Sequence, residues 1–366
     1  MPEVTKTFLA RLAVYSIVAV AVTLIWTNWA ETERPAPFFE NHRWYESIVG
    51  IEEGSAPPPF VKRRLLPDAA RLLAAAVPRP VWEGVAARVE ATPIIAHRIR
   101  DAWYWRNPDD WPLLMSATFL LFCAIVAYAF AAETLIAHYL RPSDSVRLVM
   151  TVLVTAGLLG GGGDHHYGWY PYDFPIACLF AWLLIAIEFR KCWTLPVFAL
   201  AAYCKETAVF LVVLQLAYAA VSHRRWHLLQ AGLCAVAFAA IQTYLSWQYH
   251  APPLQDRYFW FDRNVRLIVY HLVFSSWKVA VLSLVVLRVA VLWPKIPIGL
   301  RLTTILVPCF LAAAMVKGWI EEYRQYTELI LPLMLVAGFC IRVELSVLRL
   351  RNRHGAGRTE REFDTA

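Results

Sequence analysis

The sequence predicts an all-α protein that crosses a membrane about ten times. Of its 366 residues, 59% are hydrophobic and only 17% are charged, whereas soluble domains are about half apolar and about a quarter charged. Apolar stretches of about 20 residues, the length that a helix needs to cross a bilayer, recur from end to end. We therefore assign residues 1–348 to one transmembrane domain and expect the charged tail, residues 349–366, to be disordered.

The apolar stretches give ten predicted membrane helices. They cover residues 8–29, 111–139, 146–162, 174–189, 193–205, 207–222, 228–248, 266–292, 300–317 and 327–347. The fifth and sixth are short and are separated only by Lys205 and Glu206, which predicts one broken pair. The first apolar run is too long for a signal-peptide core and no small-residue cleavage site follows it, so we expect it to remain as a membrane helix.

Basic residues indicate which loops face the cytoplasm, because Lys and Arg collect on that side of membrane proteins. They fall in alternate short loops and in the tail, at Arg141, Arg147, Arg190, Lys191, Arg224, Arg225, Lys295, Arg301 and Arg349. This pattern predicts that both termini are cytoplasmic. The net charge of +7 therefore describes topology, and no basic stripe on a soluble domain suggests a nucleic-acid partner.

The predicted first outer loop, residues 30–110, is long and contains two stretches with helical periodicity. Apolar residues recur at helical spacing over residues 60–77, and more loosely over residues 82–105. Basic residues and tryptophans occupy the other positions. This composition is typical of helices that lie in the membrane interface instead of crossing it.

Cysteine and histidine give no sign of a metal or disulfide site. The seven cysteines lie in or beside apolar segments without any CxxC pair, as expected of small core residues. Asp164, His165 and His166 are adjacent, but neighbouring histidines point apart in regular structure and no further ligand stands at a suitable spacing. We predict no metal and no cofactor.

Lys205 and Glu206 place two charges inside an otherwise apolar run. An ionisable residue at membrane depth is costly, so by default it indicates a functional site. We hypothesise that Lys205 binds a lipid phosphate and that Glu206 supplies its counter-charge. The alternative is a purely structural ion pair.

Several polar, aromatic-rich stretches fall on the same predicted outer face as this pair. They cover residues 37–50, 57–67, 160–175, 205–207, 254–264 and 319–332. Any single Trp or Tyr there fits an ordinary interfacial belt. Together with the Arg, Lys and carboxylate residues, these stretches favour chemistry on a polar lipid headgroup whose tail stays in the bilayer.

Four of these stretches resemble motifs of the largely uncharacterised bacterial branch of GT-C glycosyltransferases, which use polyprenyl-phosphate sugars. The sequence "PPPFVKRRLLP" resembles PF-x-x-R-x-L-x-P, and "YPYDFP" resembles an aromatic–Asp–aromatic helix entry. "YCKETA" resembles N-[RK]-E-T-A, with Cys204 in place of Asn. "EEYRQYTELILPL" resembles E-x-R-x-x-x-E-L-x-P-L, which places Glu322, Arg324, Glu328 and Pro332. The resemblance spans residues 37–340 and implies a GT-C-like fold.

The resemblance also implies an activity. Such enzymes transfer a sugar from a polyprenyl-phosphate donor to a lipid or glycan acceptor at the outer face of the bacterial inner membrane. Their catalytic carboxylate lies in the first outer loop and is usually Asp. Because residues 28–63 contain no Asp, Glu40 is the best candidate base, followed by Glu46 and then by Glu31 or Glu33.

The other site residues follow from the same resemblance. Lys205, Arg324 and Arg63 would neutralise the donor phosphate, so the chemistry requires no metal. The substrate pocket would contain Asp173, His165, His166, Glu206 and Glu322.

Two other functions remain open. The first is a non-catalytic membrane subunit that binds lipids or membrane-protein partners, which the absence of Asp from the first loop favours. The second is a transporter, since broken helices and buried charges also occur there. The predicted position of the charges at the outer face, and the lack of an inverted repeat, count against a transporter.

Overall fold

The computed structural model describes residues 3–32, 62–92, 111–159, 172–249, 261–317 and 323–363. All regular secondary structure in these ranges is helical, which confirms the predicted all-α class. The α-helices are α1 Glu3–Thr32, α2 Leu65–Ala76, α3 Arg79–Ala91, α4 Trp111–Leu140, α5 Asp144–Ala156, α6 Asp173–Glu188, α7 Thr194–Cys204, α8 Phe210–Ser222, α9 Arg225–Gln248, α10 Phe261–Phe274, α11 Ser276–Leu292, α12 Ile298–Thr303, α13 Leu306–Lys317 and α14 Ile330–Phe363. Short 3₁₀ turns occur at Gly157–Leu159, Glu206–Val209, Trp293–Lys295 and Tyr323–Leu329.

Five apolar segments in the described ranges are long enough to cross a membrane. They are Thr5–Ile25, Trp111–Leu140, Arg225–Gln248, Ile298–Val316 and Tyr326–Val347. Shorter apolar helices occur at Thr194–Cys204 and Glu206–Ser222. The protein is therefore a helical membrane protein, and the count of ten spans remains a prediction.

Three predicted helices differ in their detail. Residues 266–292 form α10 and α11, because Ser275 between them leaves the helical conformation (φ −124°, ψ 35°). Residues 300–317 contain a tight turn before Pro308, which has no N–H to donate to Thr304; instead Val307 N donates to Thr304 O at 3.1 Å. The last helix continues to Phe363, through most of the tail that was predicted to be disordered. The tail contains two glycines but no proline, and its five arginines and two glutamates have high helix propensity.

The core forms around α4 and α6, which pack against each other. Helix α6 is apolar around its whole circumference, and nearly all its residues are buried, as expected of a helix enclosed by others. α1, α2, α5 and α14 also pack on α4. In contrast, α11 exposes most of its apolar side chains, which is the behaviour of a lipid-facing helix.

The predicted first outer loop contains helices where the periodicity predicts them, within the described residues 62–92. α2 buries Leu66 and Ala70 and packs on α4, while α3 follows and donates the Trp82 indole N–H to Ala74 O at 3.3 Å. Residues 93–110 lie outside the described ranges. The interfacial position of these helices remains a prediction.

Within the described ranges, the basic loops after α4, α6 and α8 lie at one end of the helical bundle, and Asp173 lies at the other. Helix α6 has 16 residues, so its ends are roughly 24 Å apart. At its C-terminal end, Glu188 Oε2 accepts a hydrogen bond from the Tyr218 hydroxyl at 2.5 Å, and Glu188 Oε1 lies 3.4 Å from His138 Nε2. The C-termini of α4, α6 and α8 therefore meet there, beside the basic loops, while Asp173 lies at the other end of α6.

Candidate functional site

The break between α7 and α8 points a lysine into the protein. The N–H of Lys205 closes the last turn of α7 on Ala201 O at 2.9 Å, and the residue is itself extended (φ −159°, ψ 142°). The carbonyl of Ala202, exposed by the helix end, accepts a hydrogen bond from Gln242 Nε2 of α9 at 3.0 Å. This partner for an end-of-helix carbonyl lets the chain stop a helix inside an apolar region.

Lys205 lies between two buried carboxylates. Its Nζ is 3.2 Å from Asp173 Oδ1 and 3.1 Å from Glu328 Oε1. Lys205, Asp173 and Glu328 are 6%, 1% and 3% exposed. Charges this deeply buried are tolerated only when they are paired and hydrogen-bonded, so each of the three depends on the others.

Glu328 also binds the turn that follows Lys205. The Thr207 hydroxyl donates to Glu328 Oε1 at 2.8 Å, so this oxygen accepts from both Lys205 and Thr207. Glu328 belongs to the 3₁₀ turn Tyr323–Leu329 that leads into α14. The contact therefore joins the start of the last helix to the α7–α8 break, across 121 positions of sequence.

Glu206 does not supply the counter-charge for Lys205, so that prediction is wrong. Its carboxylate forms a bidentate ion pair with Arg63, with Arg63 Nη2 2.5 Å from Oε1 and Arg63 Nε 3.2 Å from Oε2. Adjacent residues in the extended turn direct their side chains to different neighbours. The planar guanidinium of Arg63 can form two parallel hydrogen bonds with the Glu206 carboxylate, which the ammonium of Lys205 cannot. Arg63 also stacks over the Tyr172 ring, 4.4 Å from its centroid.

Arg63 stays charged in this setting. Burial alone would lower its pKa, but the neighbouring carboxylate of Glu206 outweighs that effect, so the pKa of Arg63 lies well above its ordinary value. The guanidinium therefore provides a permanent positive charge at this end of the bundle.

A second polar group at the same end includes Arg64, which was not among the predicted site residues. Arg64 Nη2 lies 2.5 Å from Asp68 Oδ1, the Tyr203 hydroxyl donates to Asp68 Oδ2 at 2.5 Å, and Arg64 stacks over the Tyr249 ring. Arg64 is 2% exposed. The run Lys62–Arg63–Arg64 just before α2 was the available signal, since adjacent side chains point in different directions and one of them can enter the protein.

The structure brings together four of the predicted site residues, Arg63, Asp173, Lys205 and Glu206. It adds Glu328, which the motif named but the predicted site did not include. The candidates Glu40, Glu46, His165, His166 and Glu322, together with the side chain of Arg324, lie outside what the structure describes. Within the described ranges, no group of three His, Cys, Asp or Glu side chains could hold a metal ion.

The arrangement can bind groups that both donate and accept hydrogen bonds. We refer to Lys205, Asp173, Glu328, Thr207, Arg63 and Glu206 as the Lys205 cluster. Its two cations are each paired with a carboxylate, and Glu328 Oε2 is a buried acceptor with no hydrogen-bond partner among the residues that the structure describes. A buried carboxylate oxygen of this kind is costly unless something donates to it.

No family model, curated protein or solved structure matches this chain.

Proposed function

We propose that the protein is an integral membrane glycosyltransferase that uses a polyprenyl-phosphate sugar as donor. One observation carries the proposal. Segments that contribute to the GT-C resemblance, around Arg63, Asp173, Lys205 and Glu328, are distant in sequence, yet their side chains meet in one buried cluster at one end of the bundle. Motif residues that converge without adjacency in sequence are typical of a shared site.

The reaction needs little more than positioning and charge. The acceptor hydroxyl oxygen would bond to the anomeric carbon as the bond from that carbon to the phosphate oxygen breaks, and the polyprenyl phosphate would leave with the electron pair. Glu40 would take the acceptor proton. Arg63 would offset the negative charge that develops on the leaving phosphate, and Lys205 would help to hold the sugar that the phosphate carries.

The carboxylates of the Lys205 cluster have a supporting role in this scheme. Glu206 holds Arg63, and Asp173 and Glu328 hold Lys205. A cation that is fixed before the substrate arrives loses less entropy on binding, and it stabilises developing charge without reorganisation. The reaction would take place at the outer face of the bacterial inner membrane, with both termini in the cytoplasm.

The proposal is tested with the full chain in lipid nanodiscs. The protein is incubated with undecaprenyl phosphate carrying radiolabelled glucose, mannose, galactose or arabinose, in the presence of an envelope lipid extract as acceptor. We expect one donor to be converted to free undecaprenyl phosphate and a labelled product. Lys205→Met and Glu40→Gln should each lower the rate by about 100-fold or more.

The matched control is Arg79→Gln, which removes a cation from an exposed ion pair with Glu83 on α3. It should leave the rate unchanged. If none of the four donors is consumed by the wild-type chain, or if Lys205→Met and Glu40→Gln retain full activity, the glycosyltransferase proposal is wrong.

A second candidate function is a non-catalytic membrane subunit. The observation in its favour is that Lys205 and Glu206 already have charge partners within the chain, as structural ion pairs do. In that case Lys205→Met would lower the melting temperature without changing the binding of any polyprenyl lipid, and a stable membrane-protein partner should co-purify with the wild-type chain.

A further inference from the structure

Glu328 combines deep burial with an unused hydrogen-bonding atom. Its side chain is fully buried. Oε1 accepts from Lys205 Nζ and from the Thr207 hydroxyl, while Oε2 has no partner in the part of the chain that the structure describes. An ionised carboxylate can accept about four hydrogen bonds, so Oε2 can still accept hydrogen bonds from a ligand.

Lys205 has the complementary capacity. An ammonium has three N–H donors, and the contacts of Lys205 with Asp173 and Glu328 account for two of them. The cluster thus offers an available donor on Lys205 and an available acceptor on the carboxylate that Lys205 contacts. The group that satisfies both at once is a hydroxyl, which accepts from the ammonium and donates to the carboxylate.

A phosphate fits this position poorly. Lys205 is flanked by two carboxylates that already neutralise it, and a phosphate brought against Glu328 Oε2 would meet a like charge with no proton to share. The hypothesis that Lys205 binds the lipid phosphate directly is therefore weaker than the hypothesis that it binds a neutral polar group. Arg63 is the cation proposed for the phosphate, because its guanidinium stays charged at this end of the bundle and matches the geometry of an oxyanion.

We infer that Lys205 and Glu328 form a hydroxyl-binding subsite, with Glu328 Oε2 accepting a hydrogen bond from a sugar ring hydroxyl. This inference rests on the proposed function for the identity of the sugar, which is the one carried by the polyprenyl phosphate. Thr207 is a positioning residue, because its hydroxyl fixes Oε1 and so directs Oε2 toward the ligand.

The decisive variant is Glu328→Gln. The amide oxygen can replace Oε1 and keep the contacts with Lys205 and Thr207, while the amide N–H₂ replaces Oε2 with a donor. The position that accepted a hydrogen bond from the sugar hydroxyl is then occupied by a hydrogen-bond donor. The matched control is Glu344→Gln on α14, the helix that follows the turn of Glu328, where the carboxylate pairs with Arg288 far from the cluster.

Binding is measured by competition in nanodiscs with three probes: undecaprenyl phosphate, the same lipid carrying each sugar, and the octyl glycoside of each sugar. We expect wild type to prefer one sugar-bearing lipid over the bare phosphate. Glu328→Gln should reduce that preference about 10- to 100-fold, the range for a hydrogen bond to a charged group, and leave affinity for the bare phosphate unchanged. Glu344→Gln should match wild type.

The probes separate failure of the inference from failure of the proposed function. If wild type binds the glycosylated lipid and Glu328→Gln keeps the full preference, or loses affinity for bare phosphate equally, the hydroxyl subsite is wrong. If neither phosphate lipid binds but one octyl glycoside does, and Glu328→Gln removes that binding, the subsite stands and the polyprenyl-phosphate donor is wrong. No sugar preference in any probe would overturn the hydroxyl subsite.

Should Glu328→Gln fail to fold, Thr207→Val gives a second test. This nearly isosteric change removes only the hydroxyl that fixes Oε1, so a smaller loss of sugar preference in the same direction is expected. Unchanged preference in folded Thr207→Val, measured with the same lipids, would overturn the positioning role.

Discussion

Asp173 and Glu188 stand at opposite ends of α6, and their carboxylates, one buried and one half-buried, contact partners of different kinds. Asp173 pairs with the ammonium of Lys205 and shares it with Glu328. Glu188 contacts the Tyr218 hydroxyl and the His138 ring instead. The first end depends on buried full charges from distant segments, whereas the second joins the ends of neighbouring helices through groups that are neutral or titratable.

The difference between the two ends of α6 indicates that the Lys205 end is the better candidate for ligand binding. A buried ion pair contributes little net stability because desolvation offsets the attraction, but loss of one partner is severe. Such an arrangement is retained more readily where it also serves binding. The Glu188 end has a simpler structural role, because its groups fill the space between helix ends and its cations are displayed on exposed loops.

The largest expected effect concerns which end of the helical bundle faces the outside of the cell. In chains that retain one cysteine, native Cys192 beside the Glu188 end is exposed, and Gln248→Cys at the Lys205 end is also exposed. We expect an impermeant maleimide to label Gln248→Cys in intact cells and to label Cys192 only in inverted vesicles. The reverse pattern would place the Lys205 cluster in the cytoplasm and contradict the proposed outer-face reaction.

The largest expected loss of stability follows removal of Lys205. Lys205→Ala leaves Asp173 and Glu328 buried without their shared cation, which should lower the free energy of unfolding by about 3–5 kcal/mol. Glu206→Ala should cost less, about 1–3 kcal/mol, because the Glu206 side chain is 43% exposed and Arg63 keeps its stacking contact with the Tyr172 ring. Melting curves in detergent compare the two. A larger loss in Glu206→Ala would restore the original hypothesis that Glu206 holds Lys205.

The Glu188 end should be sensitive to steric change instead. A Cβ at Gly299 would overlap Glu188 Oε2 and lie 2.7 Å from the Tyr139 hydroxyl, so Gly299→Ala must displace the carboxylate from Tyr218. We expect a loss of about 1–3 kcal/mol. Gly232→Ala is the control, because a Cβ there meets nothing within 4 Å and should stabilise α9 by about 0.5–1 kcal/mol. Equal melting temperatures for the two variants would show that Glu188 moves aside freely.

The smallest effect concerns backbone strain beside the same end. Arg141, Arg190 and His223, which follow α4, α6 and α8, adopt left-handed conformations with φ of 45°, 52° and 50°. Arg190→Gly should raise stability by about 1 kcal/mol, since glycine adopts this conformation without steric cost. Lys191→Gly next to it is the comparison and should bring no gain. A lower melting temperature in Arg190→Gly would mean that the Arg190 side chain contributes more than its strain costs.

The sequence by itself determined the helical membrane character of the chain and the position of its charges. Hydropathy is a local property, so the runs at 111–139 and 174–189 were predicted almost to their ends, and the break at Lys205 was visible as two charges in an apolar run. The split of residues 266–292 at Ser275 was not predicted, because two serines in a long apolar run change its average hydropathy little.

Only the tertiary structure decided which charges pair. Lys205 and Glu206 are adjacent, yet Glu206 binds Arg63, 143 positions away, and Lys205 binds Asp173 and Glu328. Partner choice depends on the direction in which an extended residue points its side chain and on which helix ends lie beside it. Both are set by the packing of α6, α7 and α14 around one point, and no local pattern in the sequence contains that information.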